Sequence, residues 1–185
     1  MIYERNNSYM GRIQVLDTSC FEDEEEFRYW WLPERASDGR ILREARLSDK
    51  EKERFQIVYE TKNTITYAGK QAVLTFLSSS SAIPPFAGYL AIGAGYTPSV
   101  DPGDNTINGE IGRFVPAGFT IIGNYTNIAT YLGSGVLNTT FTNVGFYGGS
   151  SVSSTPGSGT LYSHAPFNYA KSGLGITIGY LIEQV

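Results

Sequence analysis

The chain has 185 residues, with 14 Lys and Arg against 18 Asp and Glu, one Cys, one His and 21 Gly. That length suits one domain with a real core, and a hydrophobic content of 41% excludes a disordered chain. A net charge of −4 argues against a phosphate-gripping surface, while single Cys and His residues exclude a disulfide framework and a multi-cysteine metal site.

The charges are unevenly spread. Residues 1–62 hold 11 Lys and Arg and 14 Asp and Glu. Beyond them stand only Lys70, Arg113, Lys171, Asp101, Asp104, Glu110 and Glu183. Glycine splits the other way, with 2 before residue 63 and 19 after it. This division predicts a charged N-terminal arm over 1–62 and a Gly-rich body over 63–185. The N-terminus lacks the apolar run of a signal peptide, and no stretch approaches the roughly 18 apolar residues of a membrane-spanning helix. The expectation is a protein made and assembled in a cytoplasm, away from membranes, with Cys20 reduced.

In chain order, residues 1–20 are polar and weakly patterned. Glu22–Leu32 predicts a short helix, with acidic residues in its first turn and Pro33 as its stop. Phe27, Trp30 and Trp31 give it an apolar face, and Tyr29 falls among them. They have two readings: an anchor that docks on a neighbouring subunit, or a cap that folds back over the body's own core. Ser48 and Glu51 form a capping box for a second short helix, and Phe55–Glu60 alternates like a strand. The segment lacks the apolar periodicity for a core of its own.

Tyr67–Leu77 has helical spacing, and then helix signals vanish. The predicted strands are Tyr89–Ile92, Arg113–Ile122, Thr126–Leu132, Val136–Val144, Thr160–Ser163 and Leu174–Ile182, separated by Gly, Asn, Pro and Ser clusters. The last is the clearest, with Leu174, Ile176, Ile178, Tyr180 and Ile182 on one face. Gly145–Gly159 reads as a flexible loop. The fold class is mainly β: an antiparallel sandwich, jelly-roll-like, with one short helix before it and an extended arm.

Chemistry-bearing patterns are sparse. Gly93-Ala94-Gly95 lacks the Gly-Lys-Ser/Thr of a phosphate loop. Asp101, Asp104 and Glu110 lack the ligand alternation of a calcium loop and read as turn acids. His164 has no nucleophile motif beside it, and Asp101 with Glu110 is the one carboxylate pair on offer. The expectation is no enzyme, no cofactor, no metal and no nucleic acid. Tyr125, Tyr131, Tyr147, Tyr162 and Tyr169 are candidates for uncharged recognition of sugars or protein surfaces.

Several motifs, taken in order, resemble a family of small tailed-bacteriophage virion proteins. They are Ile65-Thr66-Tyr67-Ala68-Gly69-Lys70-Gln71-Ala72, then Leu90-Ala91-Ile92-Gly93-Ala94-Gly95-Tyr96-Thr97-Pro98, then Asn105-Thr106-Ile107-Asn108-Gly109-Glu110-Ile111-Gly112-Arg113. Asn143-Val144-Gly145-Phe146-Tyr147 and the strand from Leu174 complete the order. The resemblance covers about residues 63–185 and stops at the arm. It implies a particle component without a catalytic centre, in which Glu110 and Arg113 stand as a pair at one strand entry. Capsid decoration (cement), with the arm docked on the major capsid protein or on neighbouring protomers, is the favoured role. A tail, baseplate or fibre adhesin binding host-surface glycans through Tyr/Asn-rich loops is the alternative. Other virion proteins are the implied partners, and a closed homo-oligomer such as a trimer suits the class.

Overall fold

The computed structural model describes residues 9–36, 40–52, 54–71, 88–97, 99–122 and 125–184. In chain order these form β1 (Tyr9–Asp17), α1 (Glu24–Trp31), β2 (Glu34–Arg35), β3 (Ile41–Arg43), α2 (Asp49–Lys52), β4 (Ile57–Ile65), β5 (Tyr89–Gly93), β6 (Glu110–Phe114), β7 (Gly118–Ile122), β8 (Tyr125–Leu132), β9 (Thr140–Gly148), β10 (Thr160–Ala170) and β11 (Ile176–Gln184). Residues 67–71 add a helical turn. The rest of the helix expected over Tyr67–Leu77 lies outside the described residues.

Nine strands form one antiparallel sheet in the order β6-β5-β9-β10-β4-β1-β11-β8-β7. The expected mainly β, antiparallel fold is therefore observed. The sheet is strongly curled. Its two outer strands, β6 and β7, are consecutive in sequence and joined by residues 115–117 alone. The four residue steps from Phe114 to Gly118 span at most about 14 Å, so the two edges must approach one another at that end. Alternation along the strands turns one apolar face inward. Ile13 and Val15 of β1, Leu90 and Ile92 of β5, Val144 and Phe146 of β9, Phe167 of β10 and Ile176, Ile178 and Tyr180 of β11 fill a single core.

The extended N-terminal arm is corrected by this topology. β1 is an inner strand, paired from Tyr9↔Gln184 to Asp17↔Ile176 with β11 and across its other edge with β4. β4 then pairs with β10 only at Ser163↔Ile65 and His164↔Thr64, and so carries the sheet from one half to the other. Residues of the charged first third thus supply core strands. Their charges sit on outward faces, as where Arg12 and Gln14 of β1 meet Glu60 of β4.

Three expected strands moved. The run 113–122 breaks at Pro116 into β6 and β7, because proline cannot donate to the ladder. The strand from Val136 begins at Thr140 instead, since Val136–Thr139 closes a turn in which Leu137 holds φ +45°. β10 runs on to Ala170, accommodating Pro166 with a register shift between Pro166 and Tyr169.

Candidate functional site

Helix α1 begins where Asp23 accepts the Glu26 N–H at 2.8 Å and Glu26 accepts the Glu22 N–H at 2.8 Å. Acidic residues in the first turn suit the positive helix end, and Pro33 follows the last turn. One helical turn separates Phe27 from Trp31, so both face inward. They pack with Phe21, Leu32, Ala117, Ala129 and Tyr131 against the outer side of β8. Phe27 stacks on Trp31 at 5.4 Å and on Tyr131 at 5.3 Å, and the Tyr131 hydroxyl donates to the Phe21 carbonyl at 3.0 Å.

Tyr29 and Trp30 point the other way, 43% and 38% exposed. The two readings of this aromatic cluster thus divide residue by residue. Phe27 and Trp31 cap the body, while Tyr29 and Trp30 remain at the surface. Arginines cover them: the Arg46 guanidinium lies 3.9 Å from the Tyr29 ring centroid and 5.7 Å from that of Trp30, and Arg43 lies 4.8 Å from Tyr29. The Leu47 N–H donates to the Trp30 carbonyl at 2.9 Å, which holds the Arg46 segment against the helix. Ile41 and Leu42 of the neighbouring β2–β3 hairpin are also exposed. A groove of about 370 Å³ runs between the helix, the hairpin and Gly118, lined in part by Glu25, Tyr29, Leu32 and Arg43. Sequence reasoning missed Ile41, Leu42, Arg43 and Arg46; their neighbourhood is set by the hairpin and not by spacing along the chain.

The other expected site residues lie inside. Glu110 and Arg113 form a bidentate ion pair whose side chains are 8% and 1% exposed. Arg113 also donates to the Ser158 carbonyl at 2.7 Å and the Ser153 carbonyl at 3.2 Å, and Glu110 accepts the Gly157 N–H at 3.1 Å. The pair therefore fastens the Gly/Ser loop onto β6. The expected flexible loop over Gly145–Gly159 is corrected at both ends: its start belongs to β9, and its remainder is tied down. Arg113 also lies 4.1 Å over the Tyr147 ring, whose hydroxyl accepts the Ile107 N–H at 3.0 Å. Burial pushes the Tyr147 phenol above its ordinary value.

Tyr147, Tyr162 and Tyr131 are all buried, which removes three of the five tyrosines from any recognition surface. Strand parity turned them inward or under α1. Tyr169 is half-buried and packs on Phe141 and Phe167, and the Tyr125 side chain lies outside the described residues.

The motif glycines have a packing reason. A Cβ on Gly69 would stand 2.2 Å from the Tyr162 carbonyl oxygen, and one on Gly93 would stand 2.4 Å from that of Asn108. The segments around Gly93 and Asn108 are thus pressed together. Asn143 fixes the junction, accepting the Asn108 N–H at 3.0 Å and donating to the Asn108 carbonyl at 2.9 Å. His164 Nδ1 lies 2.7 Å from Asp104 Oδ2, and its Nε2 lies 3.3 Å from Asn143 Oδ1. With both ring nitrogens facing oxygens and the ring buried, His164 pins the Asp101–Asp104 turn to β10. Within that turn Asp101 accepts the Gly103 N–H and Asp104 accepts the Asp101 N–H.

Among the described residues no three His, Cys, Asp or Glu side chains gather at metal-binding spacing. No protein-family model, curated protein or solved structure matches the chain.

Proposed function

We propose that the chain is a non-enzymatic bacteriophage virion structural protein, a capsid decoration protein that docks through the outward face of α1 and the β2–β3 hairpin. The observation that carries this reading is the exposed Tyr29–Trp30 pair under Arg43 and Arg46. Tyr, Trp and Arg are the residue types that dominate binding hot spots. The motif order over residues 63–185 supports the virion class. The chemistry-bearing side chains support a role without turnover, because Glu110, Arg113 and His164 are spent on holding turns and loops in place.

The docking element differs from the one expected of the sequence: a helix face set on the sheet takes the place of a reaching arm. The finer architecture assigned here is a jelly-roll-like sandwich. One half is β7, β8, β11 and β1, the other is β6, β5, β9 and β10, and β4 is shared between them.

The test is composition of the particle. Virions purified on a density gradient from the phage that carries the gene are analysed by peptide mass spectrometry and by imaging with a label at the C-terminus. Regularly arrayed copies on the head are expected. Absence of the chain from purified particles overturns the reading, and a position at the tail tip replaces decoration with the adhesin role.

A further inference from the structure

We propose that the α1 face is self-complementary and that its occupant is a second copy of this chain, related by a two-fold axis. This deepens the docking reading above and rests on it for the choice of surface. Two charges on this face, Glu25 and Arg46, have no ionic partner among the described residues. Glu25 and Tyr29 are one helical turn apart, about 6 Å along α1, and both face solvent. Among the described residues the Glu25 side chain forms no hydrogen bond or ion pair. The other charges around it are engaged: Arg28 bonds Glu24 at 2.8 Å, Glu26 caps the helix, and Arg43 lies 3.5 Å from Glu34.

Arg46 is the opposite case. Its guanidinium lies over the Tyr29 ring and reaches Trp30, with no carboxylate partner among the described residues. A stacked guanidinium keeps its N–H edge available for a carboxylate. Among the described residues one copy therefore presents an acid without a basic partner at the start of α1 and a base without an acidic partner over the Tyr29 ring.

A two-fold axis midway between these two charges runs the two α1 helices antiparallel and sets Glu25 of each copy opposite Arg46 of the other. That is the isologous condition, in which the same patch serves both partners. Tyr29 and Trp30 supply the apolar surface to be buried, and charge complementarity sets the register. The pairing is two-fold, in place of the trimer suggested by the protein class.

Sedimentation and light scattering of the intact chain across a concentration series test this directly. A dimer is expected for the native chain. Glu25→Arg and Arg46→Glu should each weaken association ten- to a hundredfold, since each sets like charges opposite one another. The double reversal should recover part of that loss, because opposite charges then face one another across the axis again, with their places exchanged. Trp30→Ala should weaken association, and at concentrations too low for the dimer its melting temperature should stay close to that of the native chain, as its ring lies outside the core. A native monomer, a trimer, or a dimer indifferent to these substitutions overturns the inference. The two proposals fail separately. A monomer that is still present on purified particles leaves the decoration role standing, whereas a rescued dimer absent from particles removes that role and keeps the interface.

Discussion

Phe146 of β9 and Tyr180 of β11 stack with ring centroids 5.5 Å apart and planes within 5° of parallel, although three strands lie between theirs in the sheet. In a flat sheet with strands about 4.8 Å apart, those positions would be roughly 19 Å apart. The contact therefore measures the curl, and it ties the two halves of the molecule through side chains alone.

Phe146→Ala is expected to destabilise the fold by about 3–5 kcal/mol, through lost burial and a cavity that both halves border. Chemical denaturation with a two-state fit checks this. A loss below about 1 kcal/mol would show that the halves do not depend on the stack.

Alkaline pH should attack the same place. Burial pushes the Tyr180 phenol up to about 12 from an ordinary value of 10.0. A phenol with a raised folded pKa favours the fold fully below its unfolded value, and that advantage is lost as pH rises toward the folded value. Stability should therefore fall between pH 10 and about 12 by roughly 1.4 kcal/mol per pH unit from this group. The phenols of Tyr131, Tyr147, Tyr162 and Tyr169 are raised as well, each chiefly by burial, and add to the slope. Melting temperature against pH, with tyrosinate absorbance as the second signal, should show a shallower decline for Tyr180→Phe. An unchanged slope would contradict the assignment.

Breaking the Glu110–Arg113 pair should cost about 3–5 kcal/mol, since either substitution strands a buried charge. Arg113→Met also releases the Ser153 and Ser158 carbonyls. Hydrogen exchange and limited proteolysis are expected to accelerate at residues 153–158 before elsewhere. Uniform destabilisation with no local change would show that the loop is held by other contacts.

Lys171 makes a similar case at the opposite turn. Its buried ammonium donates to the Gly133 carbonyl at 2.9 Å, the Ser134 carbonyl at 3.2 Å and Asn138 Oδ1 at 2.9 Å. Lys171→Met removes all three bonds, leaving the Gly133 carbonyl with the Val136 N–H and Asn138 Oδ1 with the Gly173 N–H, at about 1.5–3 kcal/mol for loss of a charged hydrogen-bond partner. Equilibrium unfolding gives the cost, and exchange at residues 133–139 should rise. A variant as stable as the native chain would show that water replaces the ammonium at no penalty.

Legibility in the sequence followed the range of the forces involved. Helix α1 was readable because the acidic first turn, the apolar Phe27, Trp30 and Trp31, and Pro33 are all local signals, although Trp30 turned out to lie on the exposed side. β11 was readable from strict alternation at Ile176, Ile178 and Tyr180. β1 was not, because only Ile13 and Val15 mark its inward face between polar residues, and its stability comes from partners more than forty residues away. The site divided in the same way. The aromatic cluster at 27–31 was visible as composition, and the 100° step of a helix decided which rings stay outside. The arginines over Tyr29 arrive by tertiary placement, so no spacing announced them. The charge count of the first third was correct and its meaning was not: Arg12, Asp17, Glu60 and Lys62 belong to strands of the sheet, and most of the other charges lie on α1, α2, the β2–β3 hairpin and the segments that join them.

The pairing of β1 with β11 has a consequence for how the chain is made. β11 occupies the slot between β1 and β8, so a nascent chain stopped before residue 176 has an open gap in the middle of its sheet. β1 thus waits for β11. Folding is therefore expected to follow release of residues 176–184 from the ribosome, and to be slow, because its key contact closes a loop of more than 150 residues.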